Sequence, residues 1–123
     1  MEEIKTCCGD SAPLLIAACS GRSNVGQIAN RVMVEMDKMG IAASLCLAGV
    51  GAGLSGFVES ARAGKIILVD GCPVGCGKKI LENNSAQPEW YFVVTELGVQ
   101  KGNIDTKFED DSKLVLENIM ANI

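Results

Sequence analysis

A parallel α/β sheet covered by helices on both faces is the fold this sequence predicts, and three observations predict it. Four short apolar runs, at 14–18, 44–48, 65–70 and 90–95, alternate with stretches of helical periodicity. The first and third runs are continuously apolar, as strands buried on both faces must be. Hydrophobic residues make up 48% of 123 residues and aromatic ones only 4%, so the core is built from Ala, Val, Ile, Leu and Met. The usual right-handed crossovers then give about four strands in the order 2-1-3-4, a three-layer, Rossmann-like arrangement.

The elements follow in chain order. Leu14-Leu15-Ile16-Ala17-Ala18 is the first strand. Ser20 to Asn24 is a turn cluster, after which Val25, Ile28, Ala29, Val32, Met36 and Met39 recur at helical spacing. Asn24 is placed to cap this helix with Gln27 as its capping-box partner, and Gly40 to end it. A second strand over 44–48 runs into a glycine loop, Gly49-Val50-Gly51-Ala52-Gly53. A helix from Ser55 carries Phe57, Val58 and Ala61 inward and stops at Gly64. The run from Lys65 to Asp70 is the clearest strand. Pro73 suits the first position of the next helix, which continues through Ile80 and Leu81. A loop over 83–88 precedes the fourth strand, and a last helix runs from about Asp110 with Leu116, Ile119, Met120 and Ile123 on one side. Residues 12–123 therefore read as a single domain. Residues 1–11 read as a flexible tail that carries Cys7 and Cys8.

Composition excludes whole classes of chemistry. There is no histidine, which removes Ser-His-Asp and Cys-His catalysis and every His-ligated metal site. The net charge is −4, with no basic run, so nucleic-acid binding is not expected. Two stretches imitate membrane signals. Ile16-Ala17-Ala18-Cys19 resembles a lipoprotein cleavage box, but the segment before it is acidic and too short in apolar residues. Residues 39–58 carry no formal charge, but five glycines and two serines interrupt them, which suits a strand, loop and helix start better than a membrane span. A soluble, cytoplasmic protein is expected. In that compartment thiols stay reduced, so six cysteines point to metal or redox chemistry rather than to disulfides.

Where the cysteines fall is the main clue. Cys19 ends the first strand, Cys46 lies near the end of the second, and Cys72 and Cys76 follow the third. In an open parallel sheet the carboxyl ends of the strands form the binding edge. Four thiols from three strand ends are therefore expected to meet there. Cys72 and Cys76 flank a proline at a helix start, where the positive end of the helix and Lys78 and Lys79 favour thiolate. Soft thiolates select zinc, iron–sulfur or copper(I) over magnesium or calcium. The C-x3-C spacing is less specific than paired C-x-x-C knuckles, and a buried cysteine is often only a small core residue.

Asp70-Gly71-Cys72 followed by Pro73 and Cys76 resembles the hallmark of the DGC-domain proteins, a family described as zinc-binding. The resemblance extends to Ala18-Cys19-Ser20-Gly21 with Asn24-Val25-Gly26, to Cys46-Leu47-Ala48-Gly49-Val50-Gly51, and to Val94-Thr95-Glu96-Leu97-Gly98, spanning residues 14–102. It implies four chelating cysteines, which on this chain are Cys19, Cys46, Cys72 and Cys76. It implies metal binding and supplies no reaction.

The remaining motifs stay open. Cys7 and Cys8 are either two thiols on a mobile tail or a lid that supplies one extra ligand or a resolving thiol. The segment 21–26 has the outer glycine spacing of a P-loop, but Gln27 and Ile28 replace the lysine and the hydroxyl residue, so ATP hydrolysis is not expected. A phosphatase loop is also not expected, because Arg22 follows Cys19 by only three residues. Asp70 is either a carboxylate beside the metal or a turn former. The leading expectation is a four-cysteine zinc site in a regulatory or small-ligand-binding protein. Its alternatives are a thiol redox enzyme using Cys72 and Cys76, and an iron–sulfur protein on the same ligands. Whether the protein is an enzyme stays open. The partner is a small molecule or a protein, and the apolar helices leave room for a homodimer face.

Overall fold

The computed structural model describes residues 13–123; Cys7, Cys8 and the tail lie outside the described residues. Four parallel strands form one sheet in the order β2-β1-β3-β4. They are β1 (Leu14–Ala18), β2 (Ala43–Ser44), β3 (Lys65–Asp70) and β4 (Trp90–Val93). Five helices accompany them: α1 (Asn24–Lys38), α2 (Leu47–Gly51), α3 (Ser55–Ala63), α4 (Cys76–Asn83) and α5 (Phe108–Met120), with a short 3-10 helix at Val94–Leu97. The doubly covered sheet is the one the alternating runs predict, and its strand order is the one expected from right-handed crossovers.

Strand alternation divides the core into two layers. Ile16 and Ala18 of β1 and Ile67 and Val69 of β3 face α1 and α5, where they meet Ile28, Val32, Met36, Val115 and Ile119. Ala17, Ile66 and Leu68 face the other way, against Val50, Val58 and Leu81 of α2, α3 and α4. β1 and β3 are the central pair, in register from Leu14↔Lys65 to Ala18↔Val69. Both are covered on both faces, which is why their sequences are continuously apolar.

Several boundaries differ from the sequence reading, each for a local reason. β2 is two residues long and pairs only at Leu15↔Ala43 and Ile16↔Ser44. Its expected continuation leaves the sheet because the Cys46 sulfur accepts the Gly49 N–H and starts α2. The glycine loop is therefore mostly helix. Its glycines serve packing, since a Cβ on Gly49 would stand 2.6 Å from the Phe57 ring. Ser23, not Asn24, is the N-cap of α1 and accepts from Gly26 N–H. Gln27 makes no capping box there and donates to the Gly21 carbonyl instead. Pro73 lies in a turn before α4, closed by Gly75 N–H to the Cys72 carbonyl, and Gly75 takes a left-handed φ of 72°. α4 accordingly begins at Cys76. β4 gives way to the 3-10 helix at Val94, and α5 begins two residues before Asp110. No helix among the described residues is long and apolar enough to cross a membrane.

Candidate functional site

The carboxyl ends of β1 and β3 stand side by side, and the register decides what meets there. Cys19 N–H continues the ladder to the Val69 carbonyl, so Cys19 and Asp70 are the next neighbours beyond the last pair. Alternation puts both on the face of α4. Asp70 is almost completely buried. Its Oδ1 accepts Gly77 N–H at 2.8 Å and its Oδ2 accepts Lys78 N–H at 3.1 Å and the Tyr91 hydroxyl at 2.8 Å. It thus caps α4 from seven residues upstream and satisfies N–H groups that a helix start leaves without partners. The same carboxylate fixes the first turn of α4, which begins with Cys76.

A cavity of about 300 Å³ opens over this junction. Its lining includes Cys19, Cys72, Cys76, Asp70, Arg22 and Lys101. Cys19 and Cys72 are half-buried and Cys76 is exposed. Cys19 packs toward the α2–α4 layer and Cys72 toward the α1–α5 layer, so the cavity spans the edge of the sheet. Cys76, the first residue of α4, lines the same cavity as Cys19. Burial, the Asp70 carboxylate and Cys76 push the Cys19 thiol above its ordinary range, while the Gly21 N–H pulls it down. Burial and Asp70 likewise raise the Tyr91 phenol well above the usual tyrosine range.

Two glycines bring the backbone close enough to shape this cavity. A Cβ on Gly71 would stand 2.9 Å from both Gly26 N and Val25 C, and one on Gly26 would stand 2.6 Å from Gly21 N. The loop after β3 and the start of α1 are therefore in backbone contact, and only glycine fits there. From the far side comes the loop after the 3-10 helix. Asn24 grips it through Nδ2 to the Gln100 carbonyl and by accepting Gly102 N–H at Oδ1, while its own N–H donates to the Gly102 carbonyl. Lys101, between those two residues, reaches the Cys72 sulfur at 3.5 Å.

Three of the four expected cysteines thus share one cavity. Cys46 stands at the neighbouring strand end, exposed and outside the cavity lining, with its sulfur on the Gly49 amide. Among the described residues no three Cys, Asp or Glu groups converge closely enough to hold a metal ion. The donor chemistry suits a soft metal, but a closed four-thiolate cage is not preformed. Cys72 lies in the turn before α4 and Cys76 opens the helix, with Gly75 between them. Asp70 caps α4 and also lines the cavity, a helix-capping role that neither of its two readings named. Lys101 and Tyr91 are additions. Lys101 had a legible signal, since it follows the last strand and lies at the same edge. Tyr91 had none, because it sits in an apolar strand.

Fold and site together define a small parallel α/β domain with a thiol-lined cavity at the carboxyl edge of its sheet. The DGC domain family matches residues 15–119, and the chain belongs to that family. It is 37% identical over 105 residues to the anaerobic and virulence modulator AnvM of Pseudomonas aeruginosa, covering 84% of this chain and 80% of that protein. No solved structure matches the chain.

Proposed function

We propose that the protein binds a soft metal ion, zinc before an iron–sulfur cluster, at the carboxyl edge of the sheet, and that it works as a regulatory or small-ligand-binding domain in the cytoplasm. The supporting observation is that Cys19, Cys72 and Cys76 line one cavity. Thiolates select such metals, and binding one releases the thiol protons. Cys19, Cys72 and Cys76 are the ligands this reading requires. Cys46 becomes the fourth by giving up its bond to Gly49; otherwise the fourth position stays open for a ligand from solution or from Cys7 or Cys8. A bound zinc would supply charge neutralisation and a Lewis-acid centre. The chain's own part is to hold three sulfurs on two rigid strand ends, with Asp70 fixing the one on α4. The name of the Pseudomonas relative, a modulator, favours the regulatory role over a catalytic one.

The test is elemental analysis with a visible spectrum on anaerobically purified full-length protein. About one zinc per chain without visible absorption is expected. Cys19→Ser, Cys72→Ser and Cys76→Ser should each lower metal content, and the effect of Cys46→Ser tells a four-thiolate site from a three-thiolate one. Protein that stays metal-free after loading with zinc and dialysis overturns the reading.

A further inference from the structure

The cavity holds one pair of thiols whose neighbourhood the fold enforces from two directions. Strand register sets Cys19 beside Asp70 on one face of the sheet. The Asp70 carboxylate, bonded to Gly77 and Lys78 N–H, pins the first turn of α4, where Cys76 is the first residue. One buried carboxylate therefore ties both cysteines to a common point. The alternatives are held apart. The Cys72 sulfur meets Lys101 and packs toward the opposite layer. The Cys46 sulfur is engaged by the Gly49 amide of its own helix.

We propose that Cys19 and Cys76 form a reversible disulfide across the mouth of the cavity, with a hydroperoxide as oxidant, and that closing this bond switches the site off. The exposed Cys76 sulfur reacts first. It attacks one oxygen of hydrogen peroxide, the O–O bond breaks, and the departing hydroxide takes up the thiol proton as water. The product is a sulfenic acid on Cys76. The Cys19 sulfur, half-buried alongside, then attacks the Cys76 sulfur. The S–O bond breaks, and the second hydroxide leaves as water with the Cys19 proton. Two thiols and one peroxide give one disulfide and two waters, the sulfurs losing the two electrons that the peroxide gains. An external thiol reverses the reaction by exchange. The disulfide itself does not depend on a metal. Its consequence for the site rests on the metal-binding reading: oxidation consumes two of the three thiolates that reading requires, and Cys72 with at most one further ligand does not retain zinc.

The experiment treats reduced, full-length protein with graded hydrogen peroxide, with and without prior zinc loading, and then blocks remaining thiols by alkylation. Disulfide-linked peptides are sequenced by mass spectrometry. A parallel run in Cys72→Ser leaves Cys76 as the only thiol of its tryptic peptide. A chromogenic chelator follows released zinc. A Cys19–Cys76 link is expected as the first intramolecular product, absent in Cys19→Ser and Cys76→Ser, retained in Cys46→Ser and Cys72→Ser, and removed by dithiothreitol. Zinc release is expected in step with the link. A dominant link through Cys72, Cys46, Cys7 or Cys8, or oxidation of Cys76 to sulfinic acid without a link, overturns the proposal. If the Cys19–Cys76 link forms but the protein never retains zinc, the disulfide stands and the metal reading falls.

Discussion

The Tyr91 hydroxyl donates to Asp70 Oδ2 at 2.8 Å, joining the end of β3 to β4 beside the thiol cavity that Asp70 lines. Asp70 accepts two backbone amides as well, so removing it leaves more unsatisfied than removing Tyr91 does. Asp70→Ala should cost about 3 kcal/mol and Tyr91→Phe about 1 kcal/mol, from the usual worth of hydrogen bonds to a carboxylate and the larger penalty for orphaned buried donors. Urea midpoints at constant m-value measure both. Equal costs for the two would mean that the amide bonds to Gly77 and Lys78 contribute nothing.

Glycines here divide into those the fold requires and those it tolerates. A Cβ on Gly77 would stand 2.6 Å from Asp70 Oδ1, and one on Gly71 would press on the backbone of α1. Gly71→Ala and Gly77→Ala should each destabilise by about 2 kcal/mol, in the range of overpacking. Gly56 lies in α3 with nothing within 4 Å of its missing Cβ. Gly56→Ala should stabilise by about 0.5–1 kcal/mol through helix propensity and reduced unfolded-state entropy. Thermal melts of the three variants read the contrast, and a destabilising Gly56→Ala would contradict it.

This contrast also marks how far the residues alone could be read. Continuous apolar runs at β1 and β3 reveal a doubly covered sheet because burial on both faces leaves no other pattern, and strand ends then locate Cys19, Cys72 and Cys76. The departure of Cys46 from the sheet was not legible. It depends on a thiol accepting one amide at Gly49, and Ser44-Leu45-Cys46-Leu47-Ala48 is as apolar as a strand. The capping role of Asp70 was hidden for another reason. Its amide partners lie seven and eight residues away, beyond a turn that Gly75 makes with a positive φ, so no local capping pattern points to it.

Acid should weaken the protein in part through Asp37, which ends the exposed side of α1. The Ser44 side chain, and after it the Ser44 N–H donated to the carboxylate at 2.9 Å, hold its pKa below the ordinary value of 3.8. A depressed folded pKa means a contribution that is complete above the unfolded pKa and is lost as pH falls through the folded one. The window is therefore below about pH 4, the ordinary aspartate range. Asp37→Asn should lower stability slightly at neutral pH and flatten that part of the acid limb, with a small effect because the group is exposed and screened. Denaturation midpoints across pH 2–6 test the sign. A steeper acid limb in the variant would contradict it.

Asn24 holds the arm that brings Lys101 to Cys72. Asn24 is a buried polar residue in the first turn of α1, and its amide is used from both ends: Nδ2 donates to the Gln100 carbonyl at 2.9 Å and Oδ1 accepts Gly102 N–H at 2.7 Å. Two opposing effects bear on Asn24→Asp. An acid in the first turn of a helix is normally favourable by about 0.3–1 kcal/mol. Here, however, the carboxylate would turn an oxygen toward the Gln100 carbonyl oxygen, replacing a hydrogen bond by repulsion inside a buried contact. The lost bond is worth about 1 kcal/mol and the desolvated oxygen costs more, so the local penalty should win. Asn24→Asp is therefore expected to be destabilising despite its favourable place on the helix, and no better than Asn24→Ala. In both variants hydrogen exchange at the Gly102 amide should accelerate toward that of an open loop, while amides of β3 keep their relative protection. Unchanged exchange at Gly102 in Asn24→Ala would show that something other than Asn24 holds the arm against α1.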